Sequence, residues 1–322
     1  LTLPQLGRVI KVDPHKINQK ITFSIKNLEN ISGIKAHTIR IWEKRYNLLS
    51  PERTDTNIRR YSIDSLRKLL NITLLYNNGY KISKIAAYEE SEIPLLVRKL
   101  ALTSKSEQMS INTLKLAMVN FDTVLFDLTF EELIGKKDFE FIYMKVFIPL
   151  LHELGILWQT NAICLTHEHF ITNLIKQKIH LQTELAQGQI KYNEGDPCFV
   201  LFLPENEIHE LSILYLNQLI LSKGYKTIFL GQSVPSNSLA TLLSFNPQLH
   251  FVTFCIVEPN QNIMDDFITN FEHQILNISD SRLSMFGPRT ADLNQEKLPE
   301  KIVVFKGLEE FKHRFLEPTV FA

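Results

Sequence analysis

The chain has 322 residues with 35 basic and 35 acidic side chains, so it is formally neutral and not a globally basic nucleic-acid binder. Its 44% apolar content excludes wholesale disorder, and no charge-free apolar run approaches the ~18 residues of a spanning helix. Cys164, Cys198 and Cys255 lie far apart without a CxxC, which argues against a disulfide framework or a zinc module and suits a reducing cytoplasm.

The length predicts two or three domains. Residues 1–20 read as a tail; they show no export signal, and the start at Leu1 rather than Met suits a fragment boundary. Residues 21–90 read as a first domain. SIKNLENISGI predicts a helix with Ser24 as N-cap, one face carrying Ile25, Leu28 and Ile31, and Gly33 as its stop. KAHTIRIWEKRY predicts a second helix after a tight turn. NLLSPERTDTNIRRYS, with Pro51 and polar turn formers, predicts a small β-turn-β wing. SIDSLRKLLNITLLYNNGY, capped by Ser62, predicts a third helix, and KISKIAAYEE a short fourth. From Lys35 to Arg60, seven basic residues face three acidic ones, a local patch for a polyanion.

A helix–turn–helix followed by a basic wing suits duplex DNA: the helix fits the major groove and the wing grips phosphates. Thr38, Arg40 and Lys44 are expected to face the groove, and Arg53, Arg59, Arg60 and Tyr61 to hold the backbone. Trp42 and Tyr46 suit packing of the wing against the helix as well as they suit DNA, while Ile39 and Ile41 are core or partly buried positions. The stretch from Phe23 to Ala86, with TIRIWEKRYNLLSPER, the RRYS wing end and NNGYKISKI, resembles the N-terminal domain of the MerR family of transcription regulators. Its IWEKRY, carrying Trp42, is similar to the light- and cobalamin-linked branch. The resemblance implies sequence-specific binding of double-stranded DNA. A single recognition helix reads few bases, so a homodimer on a palindromic operator is expected, with a tetramer as a further possible assembly.

Residues 91–190 show apolar residues recurring at three and four in IPLLVRKLALTS, INTLKLAMVNFDTVLFDLTF, FEFIYMKVFIPLLHELGILW and LTHEHFITNLIKQKIHLQTELAQ, which predicts an antiparallel four-helix bundle. From residue 196 to 322 the period changes. CFVLFLP, YKTIFLG, HFVTFCIV, RLSMFG and KIVVFKG read as strands buried on both faces, separated by helical stretches. The expected fold is a doubly wound, Rossmann-like or flavodoxin-like parallel sheet, whose ligands bind beyond the carboxyl ends of the strands.

His209 follows the first of these strands, between Glu207 and Glu210. A carboxylate that accepts one ring N–H fixes the tautomer and leaves the other nitrogen as a metal ligand. In the bundle, Trp158 is separated by nine residues from Glu168-His169; Asn161 falls in an expected turn, and Cys164 takes a helix start that Ser or Thr would fill better. Taken alone, Trp158 reads as a bundle-core residue, Glu168/His169 as a surface pair and His209 as a solvated loop histidine. Together these segments, over about residues 95–290, resemble the cobalamin-binding module shared by light-sensing MerR-type repressors and cobalamin-dependent methyltransferases. The resemblance implies that Trp158, Glu168 and His169 cover the upper face of a corrin ring. It also implies that Glu207, His209 and Ser212 form the lower motif, with His209 ligating cobalt. Some positions depart from the pattern. Ser212 stands where the motif has Gly. Gln159 replaces a His that can capture cobalt. Cys255-Ile256-Val257 and Phe286-Gly287-Pro288 stand near the Ser-x-Leu and Gly-Gly stretches that hold the nucleotide tail, leaving Gly287 as the tail residue.

The expectation is a cytoplasmic, non-enzymatic repressor governed by cobalamin, and by light when the ligand is adenosylcobalamin with its photolabile cobalt–carbon bond. Two alternatives remain at this point: a MerR-type regulator whose degenerate sensor half answers another ligand or a protein partner, and a cobalamin-dependent methyl carrier. The N-terminal DNA module argues against the carrier.

Overall fold

A computed structural model describes residues 22–101, 106–159, 163–188 and 197–317, which divide into two compact units meeting at Leu174/Ile175. In the first, local chemistry sets the helix ends. Ser24 caps α1 (Ile25–Ser32): its Oγ accepts the Asn27 N–H at 3.1 Å, while Asn27 Oδ1 accepts the Ser24 N–H at 2.9 Å. Gly33 ends the helix at φ 75°, a left-handed conformation that costs glycine nothing. After α2 (Ala36–Tyr46) comes the expected wing, in which β2 (Glu52–Arg53) pairs antiparallel with β3 (Arg59–Ser62). The sequence reading missed β1 (Thr22–Phe23), which pairs with the other side of β3. Two residues are too few to show a period. Ser62 caps α3 (Ile63–Asn77), and α4 (Ile82–Ile85) follows.

The helical region departs from the expected four helices. It contains α5 (Glu92–Ala101), α6 (Glu107–Asn120), α7 (Thr123–Ile134) and α10 (Leu165–Gln187). Between them runs a continuous helix formed by α8 (Phe139–Ile142), a π turn (Tyr143–Phe147) and α9 (Ile148–Gln159). The stretch read as one helix from Ile111 to Phe130 is two. Phe121 adopts φ 51°, and the Asp122 carboxylate caps the next helix by accepting the Leu125 N–H at 2.9 Å. Continuous apolar periodicity on both sides concealed that corner. Leu114, Ala117, Phe126, Val146, Phe147 and Leu150 are fully buried in this core, and α3 packs on α5 and α6.

The second unit is the expected α/β sheet. Its five parallel strands are β4 (Cys198–Pro204), β5 (Lys226–Val234), β6 (Leu249–Phe254), β7 (Arg282–Phe286) and β8 (Ile302–Val304), in the order β5-β4-β6-β7-β8. Counted from the first strand this is 2-1-3-4-5, the flavodoxin-like order, with its switch point between β4 and β6. β4 and β6 are buried throughout, as continuous apolar runs require. β5 corrects the sequence reading: it is an edge strand with several exposed positions and continues through Gln232-Ser233-Val234. Helices α11 (Leu211–Ser222), α12 (Ser236–Leu239), α13 (Gln261–Gln274) and α14 (Leu308–Phe311) connect or follow the strands. Among the described residues no helix is long and apolar enough to cross a membrane.

Candidate DNA interface and cofactor site

Helix α2 buries Ile39 and Trp42, and the Trp42 ring meets Tyr76 of α3 edge-on at 5.0 Å. The opposite face carries Arg40 and Lys44, both exposed, as the sequence suggested, while Thr38 is half-buried. Sequence reasoning missed His37. It is exposed three residues before Arg40 and so lies on the same helical face. On the wing, Arg53 and Arg60 are exposed. Arg53 Nη1 donates to Asn57 Oδ1 across the wing turn.

Two wing residues have other work. Tyr61 is fully buried, so the expectation that it holds the DNA backbone is corrected: its hydroxyl donates to Glu43 Oε2 at 3.0 Å. Burial, and then the Glu43 carboxylate, push the phenol pKa well above its ordinary value. Arg59 is half-buried and donates from Nε to Glu43 Oε1 at 3.1 Å. Glu43 therefore ties the wing to α2. The signal was legible: a single carboxylate in a basic recognition helix is a natural partner for a wing cation.

In the helical region, Trp158 and Gln159 are the last two residues of α9, and their side chains, like Asn161, lie outside what is described. Glu168 and His169 share the first turn of α10, with Glu168 Oε2 and His169 Nδ1 3.1 Å apart. The His169 side chain is 62% exposed and Glu168 12%. The neighbour that sequence reasoning passed over is His167. It is buried, stacks on Phe121 at 4.7 Å, and places Nδ1 2.9 Å from the Cys164 thiol. Burial, then the Arg67 charge, lower its pKa, so it is a neutral imidazole fastening α10 to the α6–α7 corner.

In the α/β unit the loop after β4 presents the lower motif. Glu207 is fully buried and its carboxylate accepts six hydrogen bonds. Oε1 takes the Ile208 and His209 backbone N–H groups at 2.9 and 3.0 Å and lies 2.5 Å from His209 Nδ1. Oε2 takes the Ile256, Val257 and Glu258 N–H groups, in the loop after β6, at 3.1, 2.6 and 2.9 Å. Burial alone would raise the Glu207 pKa, but donation from His209 and these backbone groups outweighs it and holds the carboxyl at about 2. An ionised carboxylate fixes Nδ1 as the protonated ring nitrogen, so Nε2 carries the basic lone pair. His209 is 22% exposed, at the β4/β6 switch point where this strand order binds ligands. Glu210 does not share this role: its Oε1 pairs with Lys176 Nζ at 2.8 Å.

The remaining positions carry less. Ser212 is half-buried in the first turn of α11. Gly287 has φ 110°, and a Cβ there would fall 2.4 Å from the Cys255 carbonyl oxygen. Its lack of a side chain thus permits close packing of the β6 and β7 ends, a structural need apart from any ligand. Pro288 starts a 3-10 turn, where its missing N–H leaves nothing unsatisfied.

The described residues thus carry a winged helix–turn–helix, a helical region and a flavodoxin-like sheet with an oriented imidazole at its switch point. Residues 23–92 match the family model for MerR HTH family regulatory proteins, and residues 110–181 match that for the B12 binding domain. The chain thus joins a MerR-family helix–turn–helix domain to a B12-binding domain. The HTH-type transcriptional repressor CarH of Myxococcus xanthus is 23% identical over 233 residues, covering 70% of this chain and 76% of its own. The HTH-type transcriptional repressor CarA of the same organism is 24% identical over 221 residues, covering 68% and 71%. Among solved structures, the Methanosarcina barkeri monomethylamine corrinoid protein aligns with 66% of this chain and 99% of its own, at 14% identity and a TM-score of 0.49.

Proposed function

We propose that this protein is a DNA-binding transcription regulator, acting as a repressor, whose DNA affinity is set by a cobalamin held through His209. The observation that carries this is the buried Glu207 carboxylate fixing the His209 tautomer at the switch point, in a chain that also bears an exposed Arg40–Lys44 face. The donor set fits the group: an oriented, half-buried imidazole is a suitable axial ligand for a borderline-soft cobalt centre. His209 would supply that ligand, Glu207 would orient it, and Trp158, Glu168 and His169 would cover the other face of the corrin. A bound adenosylcobalamin would supply a photolabile cobalt–carbon bond, which makes light a further input. The chain's own part is a difference in affinity between two states of the protein, since a ligand equally at home in both shifts nothing. Arg40, Lys44 and the exposed wing residues Arg53 and Arg60 bind DNA, and a homodimer on a twofold operator follows from the reach of one recognition helix. The role is binding rather than catalysis, and a cytoplasmic one.

The test is an absorption spectrum of protein purified in the dark with adenosylcobalamin, followed by dark and illuminated gel shifts on the DNA upstream of its own coding sequence. A bound corrinoid lost in His209→Ala is expected. No bound chromophore, or one indifferent to that substitution, overturns the reading. Ser212 favours one second reading, a regulator whose sensor half answers a different ligand or a protein partner. Corrinoid binding that appears only in Ser212→Gly would decide for it.

A further inference from the structure

Where the ends of α1 and α3 meet α6 and α9 lies a cleft of about 310 Å³, at the small end of ligand pockets (about 300–1,000 Å³). Four of its lining residues, Asn30, Asn77, Gln108 and Asn112, carry carboxamides. Asn30 and Asn77 line it, and their side chains make no hydrogen bond among the described residues. Gln108 Nε2 donates to Asn112 Oδ1 at 3.4 Å, a long bond. The Asn112 Nδ2 amide has no partner among the described residues, although Asn112 is only 8% exposed. That amide nitrogen is not among the buried orphan atoms, so its N–H groups open onto the cleft, where an occupant can accept from them.

The charges on the wall cancel. Lys115 Nζ donates to Glu153 Oε2 at 2.7 Å and to the Ile31 carbonyl at 3.3 Å, with its side chain 5% exposed. A cleft with a neutralised ion pair offers an ion little, while several amide groups offer a neutral molecule both donors and acceptors. Ile34 and Leu157 are its only aliphatic side chains. Its position joins function to function. Asn30 and Asn77 belong to the DNA-binding module, Asn112 and Glu153 to the helical region, and Leu157 immediately precedes Trp158.

We propose that this cleft is a second effector site, taking a small uncharged molecule rich in hydrogen-bond donors and acceptors, the chemistry shared by monosaccharides and nucleosides. An occupant contacting both modules stabilises one arrangement of the DNA-binding helices over another, which is the requirement for an effector.

The test uses the full chain without cobalamin and two probes at up to millimolar concentration, glucose and adenosine, observed by saturation-transfer NMR. Saturable binding of one probe is expected, weakened about tenfold or more by Asn112→Leu, which removes a buried polar partner. Asn77→Ala, at an exposed position, gives the same loss of affinity without touching the core. Absence of saturable binding by either probe, or binding that survives both substitutions, overturns the site. The bound probe is then expected to shift the half-saturation point for DNA upstream of the chain's own coding sequence by about fivefold or more. An unchanged half-saturation point overturns the effector role. The NMR arm does not depend on the DNA reading, so failure to bind DNA sinks that reading alone.

Discussion

Glu43 and Glu207 each hold a candidate site together, one in each half of the chain, and they do it by different physics. Glu43 lies on a helix surface with its side chain 15% exposed and accepts from two side chains, Arg59 and Tyr61. Glu207 is fully buried and accepts six hydrogen bonds, five of them from backbone N–H groups. A carboxylate that keeps some contact with solvent can turn to water when a partner is lost, so the wing brace is an adjustable contact. A buried one cannot, so the β4 and β6 loops are locked to a single geometry and His209 is locked with them. DNA recognition tolerates a brace because the duplex itself completes the interface. A metal ligand must be aimed before the metal arrives.

The strongest way to break this comparison is Glu207→Ala. It strands five backbone donors and the His209 ring together, and removal of a buried, fully hydrogen-bonded charge costs roughly 3–5 kcal/mol. A much lower denaturant midpoint for the α/β transition is expected, together with loss of corrinoid binding. Glu43→Ala should cost no more than about 1–2 kcal/mol, chiefly by orphaning the Tyr61 hydroxyl. Equal losses in the two variants would erase the distinction drawn between them.

Acid sharpens the contrast from another side. The Glu207 carboxyl titrates at about 2 in the folded chain against 4.5 ordinarily, so its stabilisation is complete above pH 4.5 and is lost as pH falls from 4.5 towards 2. His250 acts in a higher window. It is buried among Phe199, Phe311 and Phe315, with Nε2 2.7 Å from Ser284 Oγ. Burial, then the charges of Arg282 and Arg314, depress it to about 3. Between pH 6.5 and 3 the unfolded chain binds a proton that the folded one refuses, so stability falls as pH drops through that range. His250→Phe costs about 1 kcal/mol at neutral pH by orphaning the Ser284 hydroxyl, and reduces the slope between pH 6.5 and 4.5 to the part that the lowered His167 pKa contributes. Denaturant melts across pH 4–8 check this. A slope undiminished in the variant assigns the acid sensitivity elsewhere.

The same two carboxylates show how far the sequence could be read. Helix caps at Ser24 and Ser62, the wing, the alternation of strands and helices, and the position of His209 all depend on local chemistry or short-range period, and all are visible in a linear chain. The partners of Glu207 in the loop after β6 lie about fifty positions away, so no spacing rule reaches them. Glu210 looked equivalent to Glu207 because both flank His209; at the N-cap of α11 it pairs instead with Lys176. The corner at Phe121 was hidden because apolar residues continue through it, though Asp122 followed by an apolar run was a usable capping signal. His167 was passed over for its neighbours in the Glu168-His169 motif, yet it is the member of that turn which is buried against Phe121.

The smallest effects separate the two kinds of wing residue. Arg60 is exposed, which the phosphate role proposed for it requires, while the buried Tyr61 hydroxyl is held by Glu43. Arg60→Ala is therefore expected to weaken DNA binding across all sequences and to lower the slope of log affinity against log salt by about one, the signature of one lost phosphate contact. Tyr61→Phe removes a buried hydroxyl and should cost about 0.5–1.5 kcal/mol of stability while leaving that salt slope unchanged. Salt-titrated gel shifts on one operator fragment, alongside thermal melts, read both quantities. DNA binding weakened at fixed salt by Tyr61→Phe would return that residue to the DNA surface, and an unchanged salt slope in Arg60→Ala would take the arginine off it. The Tyr61 result would mean that the Glu43 brace opens when the duplex arrives, releasing Tyr61 and Arg59 from their shared carboxylate.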